Sequence, residues 1–401
     1  MDPISKHNFH RDFCAAQAVV QAGVSTSRTK HADAVWEKWT AFTSDLGLDP
    51  ILSAIQDKVP ILQVFAIRVR SGALALNKQN KGISGRSVED YIRSIGQTSL
   101  ALGSSDPRYT DIGQMDFRLT RMWAAYNKKD PPPNRVKPVP IAVLRHIMVI
   151  ALAGNNELIQ CTADMIILAF FFLLRPGEYT DTSSETTPFK LADAQLFIGR
   201  TRINLVTASE GEIRSATFCT LTFTTQKNGV KGEVIGLSSS GDLTLCPVIC
   251  LIKRILHLRR HGALYTTPLS RCLHEGHFVG VTPSIITETL RDAVKYLGAS
   301  TLGFLSSDVS ARCLRAAGAN ALLIANVDTD IIRMIGRWKS DVMLRYLHLQ
   351  AEPIMREYSR KCSWAEHSHC SQINLFPWTN HCPISHPKPT LFLWLLVETG
   401  F

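Results

Sequence analysis

The C-terminal half of the sequence carries arginines, lysines and a tyrosine in an order that suits chemistry on a phosphate. Cutting a phosphodiester without a metal requires a nucleophile, cations around the two non-bridging oxygens and a proton donor for the leaving oxygen. Arginine suits the cation role because its planar guanidinium stays charged and can grip a phosphate at two points. The residues that could fill these roles are Arg175, Lys227, Arg312, Arg315, Arg337 and Tyr346.

Arg175 stands at the end of an apolar run, within residues 173–179. Pro176 and Gly177 predict a turn that sets the direction in which the chain leaves, and the carboxylate of Glu178 could hold the arginine in a salt bridge. A lone arginine at a helix end more often pairs with the helix dipole or with solvent. The case for Arg175 therefore depends on the residues that accompany it.

Arg312 and Arg315 lie just before the small residues 316–319. Small side chains let a helix pack closely against a neighbour, which would hold Arg315 rigidly. Two charges on one helix also fit a solvent-exposed face, so this pair alone does not indicate a site.

Two lysines flank a predicted hairpin turn. Residues 216–225 and 232–237 are rich in β-branched residues, and Asn228-Gly229 between them favours a tight turn because both residues tolerate positive φ. Lys227 precedes the turn and Lys231 follows it. Lys227 is the first candidate for a lysine at the phosphate and Lys231 the second, although any exposed hairpin tip also carries lysines.

The last segment with chemistry, residues 336–348, begins Gly-Arg-Trp-Lys-Ser-Asp and ends Leu-Arg-Tyr-Leu-His. Apolar neighbours on both sides of Tyr346 could dock it against a domain, and Tyr358 is its competitor as nucleophile. Trp338 and His348 are supporting candidates, while core packing is the simpler explanation of the tryptophan.

Taken in order, these residues resemble the signature of the tyrosine recombinase (phage integrase) family. Arg175 with Glu178 matches its first box, Leu-Arg-x-x-Glu, and Arg315 matches its second arginine. Arg337 occupies the family's His/Trp position, and Tyr346 follows it at the spacing of the nucleophile. The wording of the three boxes is closest to Crypton-type recombinases of eukaryotic mobile elements.

This resemblance implies an enzyme that recombines or integrates DNA by forming a 3′-phosphotyrosyl link through Tyr346 and releasing a 5′-hydroxyl. The hairpin lysine is implied as the acid for that hydroxyl. The implied partners are double-stranded DNA and three further copies in a homo-tetramer, with no metal, cofactor, membrane or small-molecule substrate. The mobile-element resemblance alone implies a nuclear location.

Two positions depart from the family pattern. Arg312 stands where the family has His or Lys, and Arg337 stands where it has His or Trp, with Trp338 one place later. Arginine can hold a phosphate oxygen but is a poor proton shuttle because its pKa exceeds about 12. The alternative is therefore a catalytically decayed or domesticated DNA-binding relative of the same fold.

Composition agrees with a folded protein that binds a polyanion. Hydrophobic residues make up 45% of the 401, and the net charge is +10. A basic excess favours phosphate partners because each contact releases condensed counterions. The ten cysteines form no short disulfide framework, which favours a reducing compartment. The longest apolar stretch, residues 165–174, is shorter than the roughly 20 residues of a membrane span.

The order of predicted elements indicates an α+β, mostly α, fold in two parts. Helical periodicity over residues 32–42, 51–71 and 87–102 predicts a helical DNA-binding domain of the core-binding type at 9–130. Prolines within 128–140 mark the boundary. A mixed catalytic domain at 138–361 should contain a small antiparallel sheet with strands at 194–204, 216–225 and 232–237. Its helices are predicted at 141–152, 156–174, 247–260, 284–297, 312–324 and 328–335.

The segment 362–401 is atypical and is predicted to lie outside the fold. It holds three of the ten cysteines and several histidines, which are ligands that zinc prefers. Their spacing matches no zinc-finger pattern. A zinc-dependent nucleic-acid binder built on this segment is a third hypothesis.

Overall fold

A computed structural model describes residues 3–76, 81–132, 137–182, 187–224 and 232–339. Over these residues the chain is mostly helical with a small antiparallel sheet, which confirms the predicted α+β, mostly α, class. Lys227, Lys231, Tyr346, His348 and Tyr358 lie outside the described residues, as does the segment 362–401.

Five helices make up the N-terminal part. They are α1 Pro3–Ala22, α2 Thr26–Asp45, α3 Val59–Ser71, α4 Gly85–Ala101 and α5 Phe117–Lys129. Trp39, Phe42 and Phe65 meet in an aromatic cluster between α2 and α3. The buried Trp39 ring donates its indole N–H to the carbonyl of Pro50 at 2.7 Å, so its one polar atom is satisfied within an apolar core.

The helix predicted over residues 51–71 is wrong in its first half. The Asp49 carboxylate accepts hydrogen bonds from the backbone N–H groups of Ile51 and Ser53, each at 2.9 Å, and holds a turn there. Pro60 then lies in the first turn of α3, where its missing N–H costs no helical hydrogen bond. The prediction failed because apolar residues keep helical spacing through this segment, while the side-chain hydrogen bonds of Asp49 hold its backbone in a turn.

The second part begins with α6 Ile141–Ala153, α7 Glu157–Phe171 and the single turn α8 Pro176–Tyr179. Asn156 caps α7 by accepting from the N–H groups of Leu158 and Ile159. Every residue from 161 to 170 is buried, which makes α7 the central helix of the core. The helix predicted over 156–174 ends early because Leu173 adopts a positive φ of 51°.

Four strands form the main sheet: β1 Ala194–Ile198, β2 Thr201–Arg202, β3 Phe218–Phe223 and β4 Glu233–Ser238. Their order is β2-β1-β3-β4, and every pairing is antiparallel. The run predicted as one strand over 194–204 is two strands, joined by a turn in which Gly199 has a φ of 58°. Short helix α9 Glu210–Arg214 lies between β2 and β3. The pairing of β3 with β4 confirms the predicted hairpin, while its turn falls outside the described residues.

The remaining elements are α10 Pro247–Arg260, the hairpin β5 Arg271–His274 and β6 His277–Gly280, then α11 Pro283–Leu297, α12 Ala299–Leu302, α13 Cys313–Ile324 and α14 Thr329–Gly336. The long helices among them confirm the predictions to within one residue at each end. Hairpin β5–β6 was not predicted, because Glu275 at its turn takes a positive φ that glutamate seldom adopts.

Buried apolar side chains fall into two large clusters, one drawn from residues 35–123 and one from residues 139–317. The division into domains at 130 and 138 stays a prediction. None of the helices in the described ranges combines the length and hydrophobicity that a bilayer crossing requires.

His257 fastens α10 to the β5–β6 hairpin. Its Nε2 accepts a hydrogen bond from the backbone N–H of Leu273 at 3.1 Å, and its side chain is 14% exposed. Burial, with a contribution from the charge of Arg254, lowers the pKa of His257 to about 4 from an ordinary 6.5. The imidazole is therefore neutral at pH 7.

Acid should weaken the fold through His257. Because its pKa is lower in the folded chain, the unfolded chain takes up this proton first, and the free energy of unfolding should fall as the pH drops from about 6.5 to about 4. Allowing for solvent screening, the loss should be about 1–2 kcal/mol. His257→Gln keeps an acceptor for Leu273 without titrating, so its urea midpoint should vary less over this range. Equal pH dependence in both proteins would contradict this role.

Candidate active site

The end of α7 determines where Arg175 points. Leu173 and Leu174 are buried, and the positive φ of Leu173 turns the chain sharply after the helix. Arg175 then takes the N-cap position of α8 in an extended conformation, with its side chain 29% exposed. The guanidinium is therefore held at the surface by a backbone anchored in the core.

The Glu178 carboxylate fixes Arg175 at two points. Its Oε2 accepts from the backbone N–H of Arg175 at 2.7 Å, and its Oε1 accepts from the Arg175 guanidinium at 3.0 Å. The ion pair predicted from the sequence is thus present. The Glu178 side chain is only 6% exposed, so its charge must be balanced by neighbouring groups.

Arg337 supplies the second partner of that carboxylate. Its guanidinium donates to Glu178 Oε2 at 3.0 Å and to the carbonyls of Phe172 at 3.2 Å and Leu173 at 3.3 Å. It also lies over the Phe223 ring, 3.7 Å from the centroid. With a side chain 2% exposed, Arg337 faces the interior, so its contacts favour a supporting role over direct contact with a DNA phosphate.

The charge of Arg337 survives its burial. Loss of hydration lowers the pKa of its guanidinium to about 10, while the charge of Glu178 acts in the opposite direction. At pH 7 the group is still protonated. Two arginine cations therefore share the single buried carboxylate of Glu178.

Arg315 approaches the same place from α13. Its guanidinium donates to the carbonyl of Gly336 and stacks on the Trp338 ring, 4.5 Å from the centroid. A side chain on Gly336 would overlap that ring, so the close contact requires glycine. Arg315 is buried. Trp338 is 9% exposed and belongs to a small apolar cluster with Leu173, in agreement with core packing as the simpler explanation of this tryptophan.

Arg312 lies at the start of α13 and is exposed. The buried Tyr179 hydroxyl donates to the carbonyl of Ala311 at 3.0 Å, which ties the Arg175 turn to the residue before Arg312. The structure thus joins Arg175, Glu178, Arg315, Arg337 and Trp338 in one set of contacts, which we call the arginine cluster.

Gly318 allows α13 to lie against α7. A Cβ at this position would collide with the carbonyl oxygen of Phe170 and with the Leu173 side chain. This is the close packing that the run of small residues predicts. It brings Arg315 to the same end of α7 from which Arg175 emerges.

Three contributors were not identified from the sequence. Phe223 ends β3 and resembles any core strand residue, and the carbonyls of Phe172 and Leu173 have no sequence signal at all. Phe223 is the last residue of the strand that leads toward Lys227. The end of β3 therefore lies against the arginine cluster through Phe223.

A second polar cluster lies at the opposite end of α7. Glu157, His257 and His261 bring their ligand atoms within 4.8 Å of one another, close enough to hold a metal. The N–H of Leu273 donates to His257 Nε2, so the ring proton is on Nδ1, which faces Glu157. A metal-bound imidazole instead donates its free N–H outward, and the present bonding favours a neutral structural histidine.

Comparison with known proteins found neither a matching family model nor a matching curated protein. Solved structures similar to this chain include an integrase of the transposon Tn1549 in complex with transposon right end DNA. It is 12% identical, with coverage of 82% of this chain and 99% of that one, and a TM-score of 0.42.

Two further similar structures are the XerA recombinase and an integrase from mycobacterium phage Brujita. XerA is 13% identical, with 86% and 95% of the two chains covered and a TM-score of 0.33. The phage integrase is 16% identical, with 85% and 88% covered and a TM-score of 0.26. At these identities and TM-scores the similarity carries no argument about function. The function proposed below therefore rests on the residues of the site.

Gly318→Ala should destabilise the chain by about 1–3 kcal/mol, because the added methyl must push α13 away from the end of α7. Urea unfolding measures the loss. Gly211→Ala is the matched control, since the nearest atom to its added Cβ is Ser209 Oγ at 3.8 Å, and alanine favours helix α9. Equal stability of the two variants would contradict the close packing of α13 on α7.

Proposed function

We propose that this chain is a site-specific DNA recombinase of the tyrosine type, which cuts and rejoins duplex DNA through a 3′-phosphotyrosyl intermediate. The observation that carries the proposal is the meeting of Arg175 and Arg315, which are far apart in sequence, around Glu178 and the segment 336–338. Preorganised arginines stabilise charge that develops on a phosphate in the transition state. The order of these residues in the sequence resembles that of the family.

In the proposed reaction the phenol oxygen of Tyr346 attacks phosphorus and the bond to the 5′-oxygen breaks. Arg175, which is partly exposed, and Arg312, which is exposed, would bind the non-bridging oxygens first. Arg315 is enclosed by Trp338, so we expect the segment 336–338 to shift when Arg315 engages the phosphate. Lys227 would protonate the leaving oxygen, with Lys231 as the alternative. His348, two positions after the nucleophile in the sequence, would support it.

The phosphotyrosyl link conserves the energy of the phosphodiester, so rejoining needs no nucleotide and the proposed mechanism uses no metal or cofactor. We further propose that residues 9–130 bind duplex DNA, that four copies assemble on two DNA sites, and that the protein acts in the nucleus as part of a mobile element of the Crypton type. The basic excess of the chain supports the DNA partner.

The second candidate function is a DNA-binding relative that has lost catalysis. The inward-facing Arg337 favours it, because the family's His/Trp position then supplies no proton donor. Covalent capture of DNA separates the two functions.

Tyr346→Phe should keep DNA binding and lose every covalent product, because only the phenol oxygen can attack the phosphate. Nicked duplexes with randomised sequence, which trap the adduct by losing the cleaved strand, provide substrate without knowledge of the target site. Denaturing gels and sequencing of trapped DNA measure the product, and mass spectrometry should place the DNA on Tyr346.

Tyr358→Phe is the matched control and should retain both binding and adduct. An adduct that maps to Tyr358, or that persists in Tyr346→Phe, would overturn the assignment. If the wild-type chain binds DNA but forms no adduct, the decayed relative is the better conclusion.

Lys227→Ala should slow adduct formation by about a hundredfold, because the leaving 5′-oxygen then lacks its proton donor. DNA with a 5′-sulfur leaving group needs no such proton, so it should restore the rate. Lys231→Ala serves as the control and should stay near the wild-type rate with both substrates. Sulfur rescue of Lys231→Ala in place of Lys227→Ala would move the role to Lys231.

A further inference from the structure

We propose that Arg337 is a positioning residue that neutralises the buried Glu178 carboxylate, so that Arg175 keeps its positive charge for a phosphate. The inference rests on the proposed function and assigns Arg337 a different task from the phosphate contact made at the family's His/Trp position. Four groups of observations carry it: the backbone at Arg337, the set of acceptors, the charge count and the exposure of the two arginines.

The backbone at Arg337 is one that glycine usually occupies. Helix α14 ends with Trp338 N–H donating to the Arg333 carbonyl and Arg337 N–H donating to the Met334 carbonyl, each at 3.0 Å, which is a Schellman ending. Arg337 is the left-handed residue of that motif, with a φ of 55°. A side chain is disfavoured in this conformation, so its presence indicates that its contacts compensate for the backbone cost.

The side chain uses the geometry that is particular to arginine. Its guanidinium donates to Glu178 and to the carbonyls of Phe172, Leu173 and Ile335, the last at 2.9 Å. A planar group with five N–H donors can serve these diverging acceptors together, whereas histidine and tryptophan cannot. The two carbonyls at the end of α7 belong to the turn that delivers Arg175. Arg337 therefore braces both the backbone and the carboxylate that hold Arg175.

The number of charges around Glu178 explains why the Arg337 cation matters for Arg175. Glu178 is shared by two cations, and the carboxylate of Glu233, at the start of β4, also acts on Arg337. Without the Arg337 charge, Arg175 alone would balance the Glu178 carboxylate, and its pull on an incoming phosphate would be weakened. With Arg337 present, the buried carboxylate is balanced from inside the protein. The partly exposed Arg175 then presents its charge to solvent.

Arg337→Met in the full chain should weaken the binding of inorganic phosphate at Arg175 by about tenfold, since one unit charge is removed within a partly exposed site. The arginine Nε–H resonances report the titration, and Arg175→Ala identifies the part that depends on Arg175. Arg337→Lys keeps the charge and should keep most of the affinity. Adduct formation with the nicked duplexes should fall and recover in parallel.

A charge-compensated double variant separates electrostatics from simple loss of structure. Arg337→Met with Glu178→Gln removes both buried charges, so Arg175 should again bind phosphate more tightly than in Arg337→Met alone. Arg333→Met is the matched control: the same side chain is removed one turn earlier on α14, where Arg333 pairs with Asp330 at the surface. Thermal unfolding identifies any variant that fails to fold.

Rescue in the double variant, with Arg333→Met unchanged, supports the proposal. It is overturned if Arg337→Met binds phosphate as Arg333→Met does, if Arg337→Lys loses as much affinity as Arg337→Met, or if the double variant gives no rescue. Phosphate binding does not require strand cleavage. A wild-type chain without adduct would therefore reject the proposed recombinase while leaving the role of Arg337 to be decided by the titration.

Discussion

The Glu178 carboxylate is almost fully buried and accepts hydrogen bonds from the Arg175 backbone and from the guanidinium groups of Arg175 and Arg337. Removing a carboxylate from water costs several kcal/mol unless charge and hydrogen bonds replace hydration. Each neighbouring element contributes to that replacement. Helix α7 ends early to bring its carbonyls and Arg175 to the carboxylate, and α14 ends in a left-handed residue to bring Arg337. The position of the candidate site follows from this one buried charge.

The same constraint couples parts of the chain that are distant in sequence. Arg337 and Gly336 are adjacent, and one contacts Glu178 while the other accepts from Arg315. A shift of the segment 336–338 would therefore alter both arginines together. Phe223 lies against Arg337 at the end of β3, so the strand that leads to Lys227 shares this contact. Arg315 on α13, Arg175 at the α7 turn and the end of β3 are all held relative to one short segment.

Much of the fold could be predicted because periodicity and caps are local. Helix α10 was predicted at its observed bounds from its apolar period, and Asp328 caps α14, close to its predicted start, by accepting from the N–H of Asp330. The pair of Arg175 with Glu178 was predictable because Glu178 follows Arg175 by three positions, the spacing of one turn. The inward direction of Arg337 was not, since it depends on a left-handed backbone and on carbonyls from a distant helix. Hairpin β5–β6 was missed for a similar reason, because Glu275 lacks the sequence signature of its turn.

The two departures from the family pattern differ in kind once exposure is considered. Arg312 is exposed at the start of α13, so an arginine there can still meet a phosphate oxygen in place of a histidine. Arg337 is enclosed, and its charge acts on Glu178 instead of on solvent. Arginine at position 337 thus removes the proton donor of the family pattern and places a buried cation next to Glu178. In the proposed reaction the proton for the leaving oxygen must therefore come from a residue outside the arginine cluster, and Lys227 and Lys231 are the candidates that the sequence offers.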